Sequence, residues 1–274
     1  MDKDESRMAH LQFKKDINDG QGNEDKGAYE TGVTINCEKH GDYQEKAYSL
    51  FGREIKLSYC MTCLSEKNAA EAKELEELKA KNELERHAAN QKKAGVSPRN
   101  ATVRFKDYIA STPEQQHVYD SVHGLAKGIY EGKQVPNLIL TGKVGTGKTM
   151  LANCTINALF KSKKVKIIKL QDMLRKIKGS YQQGANYTEE EAIENYASYD
   201  LLILDEVGVS RDTDNDKILI FDVLDGRYQS MLPTMIISNL NIDGIKETLG
   251  ERVVDRLRDG GGILLGCDWE SYRK

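Results

Sequence analysis

The sequence predicts an α/β domain whose parallel sheet is covered by helices on both faces, and three observations carry that expectation. Five short apolar runs alternate with helical stretches: Asn137–Leu140, Val165–Ile168, Leu201–Leu204, Thr234–Ile237 and Gly262–Leu265. The first run ends in a glycine-rich loop that leads directly into a helical stretch, and the third ends in the acids Asp205 and Glu206. Runs that are apolar almost without interruption suit strands buried on both faces, where alternation would mark a half-solvated sheet.

The elements follow in order along the chain. Residues 1–30 are dominated by Asp, Asn, Gly, Lys and Glu, bury little, and read as a flexible N-terminal segment. Residues 31–64 hold three clustered cysteines and form a small module. Residues 65–95 are rich in Glu, Lys and Ala, which predicts a long exposed connecting helix; its apolar positions Leu75, Leu78 and Leu84 are too sparse for a coiled coil. Gly95-Val96-Ser97-Pro98 breaks that helix and opens the main domain, 96–274. Ser111-Thr112-Pro113-Glu114 starts a helix with a hydroxyl cap, a first-turn proline and an early acid.

Composition narrows the function classes. With 30% charged residues and a net charge of −3 over 274 residues, the chain as a whole is not a bulk nucleic-acid binder, and any basic surface is local. No apolar run is long enough to span a bilayer, the first residues lack signal-peptide character, and five cysteines with three clustered suit a reducing, cytoplasmic setting and a metal site.

Gly142-Lys143-Val144-Gly145-Thr146-Gly147-Lys148-Thr149 fits G-x-x-x-x-G-K-[ST], and Met150 continues it into the following helix. Glycines at these positions let successive N–H groups wrap phosphates, and the helix N-terminus favours the anion. Lys148 is placed to meet the β- and γ-phosphates of ATP and Thr149 to hold Mg²⁺ through its hydroxyl. Leu201–Leu204 then delivers Asp205 as a second Mg²⁺ ligand and Glu206 to polarise the attacking water; the plainer reading is an acidic strand end facing solvent. The run Thr234–Ile237 ends in Ser238-Asn239, a position for touching the γ-phosphate or for a simple turn residue.

Leu249-Gly250-Glu251-Arg252-Val253-Val254-Asp255-Arg256-Leu257-Arg258 and Asp268-Trp269-Glu270-Ser271-Tyr272-Arg273 add the specific part. With the motifs above, residues 95–274 resemble the DnaC/DnaI replicative-helicase loaders and the related IstB-type transposase helpers. The resemblance implies an AAA+ core with sheet order 5-1-4-3-2 and ATP held between neighbouring subunits. It also implies self-association into a spiral or ring, single-stranded DNA in its channel, and a ring-shaped replicative DNA helicase as partner. By that likeness Asn239 is the first sensor, Arg256 a finger acting on a neighbour with Arg252 close by, and Arg273 a second-sensor arginine. On their own residues, Arg252 and Arg256 read equally as local bridges to Asp255 and Asp259. Nine residues follow Leu265, too few for the helical lid of many AAA+ members, as in the shortened loader form. A small-molecule P-loop kinase is the alternative from another class, but it usually carries an arginine-rich lid insert that this sequence does not show.

Cys37-x-x-His40 and Cys60-x-x-Cys63 are two ligand pairs at a spacing that suits tetrahedral, structural Zn²⁺. The module resembles the zinc-bearing N-terminal modules of some loaders. Cys154 and Cys267 read as packing residues. Lys161–Lys178 is locally basic, with Tyr181 and Tyr187 following; that is the composition of a single-strand contact, and equally of a solvated helix face.

Overall fold

The computed structural model describes residues 29–50, 53–57, 59–208 and 213–272. The chain divides into two compact units, Met1–Asn82 and Glu83–Lys274. Of the segment read as flexible, residues 1–28 lie outside the described residues, while Tyr29 and Glu30 already belong to a strand.

The first unit contains an antiparallel sheet of three strands in sequence order: β1 (Tyr29–Cys37), β2 (Gly41–Leu50) and β3 (Arg53–Leu57). Cys37 pairs with Gly41 across the β1–β2 turn, and Gly41 takes the positive φ that a tight turn demands. Helix α1 (Met61–Ala94) begins here and ends in the second unit, starting four residues earlier than the composition suggested. Leu75, Leu78 and Leu84 are exposed on it, in keeping with a connecting helix.

In the second unit α1 ends at Gly95, whose N–H bonds the Lys92 carbonyl while the Val96 N–H bonds that of Gln91. Gly95 has φ +93°, and a side chain there would run into the Ile167 backbone, so the helix end seats directly on the sheet. Beyond it come α2 (Pro113–Tyr130), β4 (Leu138–Gly142), α3 (Lys148–Leu159), β5 (Val165–Lys169), α4 (Leu170–Lys178) and α5 (Glu189–Ala197). They are followed by β6 (Leu201–Val207), α6 (Asp214–Gln229), β7 (Thr234–Ser238), α7 (Ile242–Leu249), α8 (Glu251–Arg258) and β8 (Ile263–Cys267). Helix α2 starts as its sequence requires: Thr112 accepts from the Gln115 N–H, and the Gln115 side chain takes the N–H groups of Ser111 and Thr112.

The five strands lie parallel in the order β5-β6-β7-β4-β8. Counted from β4 as the first core strand, that is 5-1-4-3-2. The middle strands β6 and β7 are buried almost throughout, and the edges β5 and β8 only in part, which is why the inner runs read as continuously apolar. One face packs α2 and α3 through Val118, Val122, Leu151 and Ile156; the other packs α4 to α8 through Met173, Ile177, Ile220 and Val254. Cys154 and Cys267 are buried in the first of these faces or beside it, and burial pushes their thiols up to about 12 and about 11. Arg227 on α6 is fully buried and spends its guanidinium on the carbonyls of Tyr196, Ala197, Tyr199 and Pro233 and on the Thr234 hydroxyl. It ties α5 and the start of β7 to α6.

Candidate nucleotide site and metal centre

Strand β4 lies between β7 and β8, so the loop after it leaves the sheet at the carboxyl edge beside the ends of those two strands, with the end of β6 one strand further on. Gly142, Gly145 and Gly147 all hold positive φ, which bends the loop back before α3 begins at Lys148. Lys148 is buried, and its ammonium donates to the carbonyls of Gly142 and Lys143, each at 2.7 Å, and to Thr146 Oγ1 at 3.3 Å. Burial lowers its pKa, with Asp205 and Asp268 pulling the other way. Thr149 Oγ1 donates to Asp205 Oδ2 at 3.1 Å.

Asp205 is only 7% exposed, which excludes the plain reading of an acidic strand end in solvent. Burial raises its pKa, partly offset by the Glu206 N–H at 2.8 Å and the Thr149 hydroxyl. A phosphate beside Lys148 and a divalent cation beside Asp205 would each relieve that cost, so this donor set fits Mg²⁺ bound with a nucleotide. The β6–β7 register shifts between Leu204 and Val207, and Glu206 at that irregularity has φ +56°. A non-glycine residue held there is strained, and the bulge turns its side chain out of the strand's alternation. The Glu206 carboxylate meets Lys169 Nζ at 2.8 Å.

Lys148, Thr149, Met150, Asp205, Glu206, Ser238 and Asn239 line one cavity of about 610 Å³ with Val144, Gly145, Thr146 and Gly147. Asn239 is exposed in it, whereas Ser238 is buried and bonds the Val207 carbonyl and the Leu240 N–H. The cavity also takes in Arg99, Asn100, Val103, Tyr108 and Tyr272, which the motifs did not reveal. Their signal was weak: a linker after the Gly95 break, a tyrosine without a pattern at 108, and Tyr272, which belongs to the 268–273 signature but was given no role there. Lys143 donates its N–H to the Cys267 carbonyl at 3.1 Å, tying the loop to β8.

Arg252 and Arg256 lie on α8 and do not line this cavity. Arg256 pairs with Asp225 of α6 and stacks over Phe221 and Tyr228, with centroids 4.6 and 5.4 Å away; the expected bridges to Asp255 or Asp259 are replaced by this contact. Arg252 is exposed. Arg273 lies outside the described residues. The basic stretch is largely engaged within the fold: Lys164 reaches Ser198, Lys166 the Lys93 carbonyl, Arg175 pairs with Asp172 and Lys178 with Asp216. Tyr181 bonds Glu189, and Tyr187 donates to the Lys176 carbonyl. Lys166, Lys169, Arg175, Lys176 and Tyr187 still line a second cavity of about 770 Å³ that reaches Thr149 and Asp205.

In the first unit, the ligand atoms of Cys37, His40, Cys60 and Cys63 all lie within 4.8 Å of one another. Zinc–ligand bonds of ordinary length set tetrahedral edges of about 3.8 Å between sulfurs and about 3.5 Å from sulfur to nitrogen. Here Cys37 Sγ and Cys63 Sγ are 3.6 Å apart, and His40 Nδ1 lies 3.8, 3.6 and 3.2 Å from the sulfurs of Cys37, Cys60 and Cys63. Backbone N–H groups of Lys39 and His40, then the His40 ring, bring the Cys37 thiol down to about 6. His40 Nε2 lies 3.1 Å from Glu66, so a carboxylate orients the ring with Nδ1 toward the sulfurs. The four ligand atoms could hold one metal ion, and together they would complete a tetrahedral shell.

Against this geometry, the family described as IstB-like ATP binding protein matches residues 60–274. The chain belongs to that family. The replicative helicase loader DnaC of Buchnera aphidicola subsp. Schizaphis graminum is 32% identical over 66% of this chain and 74% of that one. DnaC of Escherichia coli K12 is 30% identical over 66% and 73%. A crystal structure of the DnaC helicase loader superposes with a TM-score of 0.53 at 21% identity, covering 63% of this chain and all of that one. The glycine-rich loop falls inside the matched region, and the strands β1 to β3 precede that region. Among the described residues no helix is long and apolar enough to cross a membrane.

Proposed function

We propose that this chain is an ATP-dependent loader of a ring-shaped replicative DNA helicase onto single-stranded DNA, with ATP hydrolysis coupled to its release. The observation that carries the reading is the meeting of Thr149 and Asp205 at 3.1 Å above the glycine-rich loop, with Glu206 beside them, in a chain similar to named helicase loaders. Thr149 and Asp205 would hold Mg²⁺ there, and the ion would supply positive charge that neutralises the transferred group. Gly142 to Met150 hold the phosphates, with Lys148 on the β- and γ-oxygens. Glu206 accepts the proton of the attacking water, and Asn239 orients that water. Before Glu206 can act, it must leave Lys169. Arg256 and Arg252, remote from their own cavity, serve a neighbour's γ-phosphate in a spiral or ring, and Arg273 senses the nucleotide in its own chain. An arginine supplied this way makes hydrolysis weak until subunits assemble. Residues 29–64, with Zn²⁺ on Cys37, His40, Cys60 and Cys63, form a module joined through helix α1 to an ATPase domain that begins near residue 96. The protein works in the cytoplasm, where its helicase and DNA are.

The IstB-type transposase helper shares the same ATPase core, so the partner separates the two. Light scattering after size exclusion, on this protein mixed with its host's ring helicase with and without ATP and Mg²⁺, decides between them. A stable, nucleotide-dependent complex supports loading. No complex in any nucleotide state refutes it and favours a transposase partner.

A further inference from the structure

We propose that the segment after β8 pre-shapes the phosphate-binding loop, with Trp269 and the Tyr272 backbone as positioning groups for nucleotide binding. This rests on the reading of Gly142–Thr149 as the phosphate site.

The segment lies along the loop. Trp269 Nε1 donates to the Thr146 carbonyl at 3.0 Å, and the Tyr272 N–H donates to the Gly145 carbonyl at 3.0 Å. The Tyr272 hydroxyl donates to the Ile109 carbonyl at 3.0 Å, fastening the far end of the segment to the opposite cavity wall. A side chain on Gly145 would collide with Ser271, and one on Gly147 would come within 2.8 Å of Tyr108, so the loop has no room to relax outward.

The consequence follows from peptide geometry. In a trans peptide the carbonyl of one residue and the N–H of the next point in opposite directions, and among the described residues no peptide is cis. A Gly145 carbonyl held by Tyr272 therefore turns the Thr146 N–H away from the segment, and a Thr146 carbonyl held by Trp269 does the same for the Gly147 N–H. Among the described residues neither N–H donates to a protein acceptor. They are the donors that an anion nest needs, turned inward before any phosphate arrives. Without the two outer bonds, either peptide plane can flip and present a carbonyl to the phosphate, which repels it.

Trp269→Phe keeps an aromatic ring and removes the donor; Tyr272→Pro removes the backbone donor and is compared with Tyr272→Ala, which loses the same side chain but keeps the N–H. ATP and ADP dissociation constants measured by calorimetry are expected to rise about tenfold in Trp269→Phe, and in Tyr272→Pro relative to Tyr272→Ala, because both nucleotides carry the β-phosphate the nest holds. At saturating ATP the turnover rate of Trp269→Phe stays near wild type while KM rises, and the melting temperature of the nucleotide-free protein moves little. A structural defect would instead lower melting temperature and turnover together. Wild-type affinity in a folded Trp269→Phe protein overturns the inference, and so does equal affinity in Tyr272→Pro and Tyr272→Ala. If the unaltered protein binds neither ATP nor ADP, the reading of the loop as a phosphate site falls first, and this one with it.

Discussion

Replacing Lys148 by alanine separates the ligand-binding role of that side chain from its role in the fold. The ammonium donates to two loop carbonyls at 2.7 Å, so the substitution removes two charge-assisted hydrogen bonds from the nucleotide-free protein. It also removes a buried cation whose pKa is lowered by desolvation, and the folded state bears that cost at neutral pH. The two effects oppose each other, and the net change in stability is expected within about 1 kcal/mol, or roughly 2–4 °C in Tm for a domain of this size. With nucleotide bound the balance differs. A charge-assisted bond to phosphate contributes about 1.5–3 kcal/mol, reduced toward the lower figure because the carbonyl bonds must be exchanged for it. ATP affinity should therefore fall about 10- to 100-fold. Calorimetric titration and thermal melting on the same preparation give both numbers. Unchanged affinity refutes the phosphate role, and a fall in Tm of more than about 8 °C means that Lys148 mainly holds the loop together.

Four further outcomes are expected. Glu206→Gln binds ATP normally and hydrolyses it about 100-fold more slowly or worse, read by phosphate release under single turnover; an undiminished rate removes Glu206 from the chemistry. Lys148→Ala and Arg256→Ala are each inactive alone, and mixing them restores hydrolysis if the arginine acts on a neighbour, whereas an inactive mixture argues for the intrachain pair with Asp225 as its whole role. One zinc per chain is expected by elemental analysis; Cys60→Ser loses it and the β1–β3 signals while ATP affinity stays within about twofold, and a metal-free yet folded first unit contradicts the centre. Burial pushes the Asp216 carboxyl up, but Lys178 and Thr213 together hold it below its ordinary value. Its folded pKa is thus below the unfolded one, so the stabilisation is present above about pH 4 and lost as pH falls through the folded value. Asp216→Asn should cost about 1–2 kcal/mol at pH 7 and approach wild type only as pH falls through the folded value of the carboxyl in denaturant titrations; a constant difference across pH means the pair contributes no charge term.

Some of this protein is written locally in its sequence. The strand β6 reads from Leu201 to Leu204 because a central parallel strand must be apolar on both faces. The turn of Gly142–Thr149 reads because positive φ demands glycine at fixed offsets, and the start of α2 reads because Thr112 and Gln115 satisfy each other's backbone within one turn. The metal cluster reads because each pair of ligands sits in a short knuckle, though only the fold of β1, β2 and α1 brings the two pairs within reach of a single ion.

Contacts between distant residues were decided by the tertiary structure. Lys169 was one cation in a basic run until the pairing of β5 with β6 set it against Glu206. Arg256 carried neighbours of opposite charge on its own helix, yet the packing of α8 on α6 gave it Asp225 and two aromatic faces instead. Trp269 and Thr146 are 123 positions apart, and they meet because β8 inserts beside β4 and sets Cys267 opposite Gly142. By itself the sequence determined the five core strands, the glycine-rich turn and the two Cys/His pairs, since each depends on residues within a turn or a strand of one another. Which charge neutralises the acid at the end of β6, and which segment holds the loop in shape, depended on strand order, because hydrogen bonds and ion pairs act over a few ångströms of space whatever the separation along the chain.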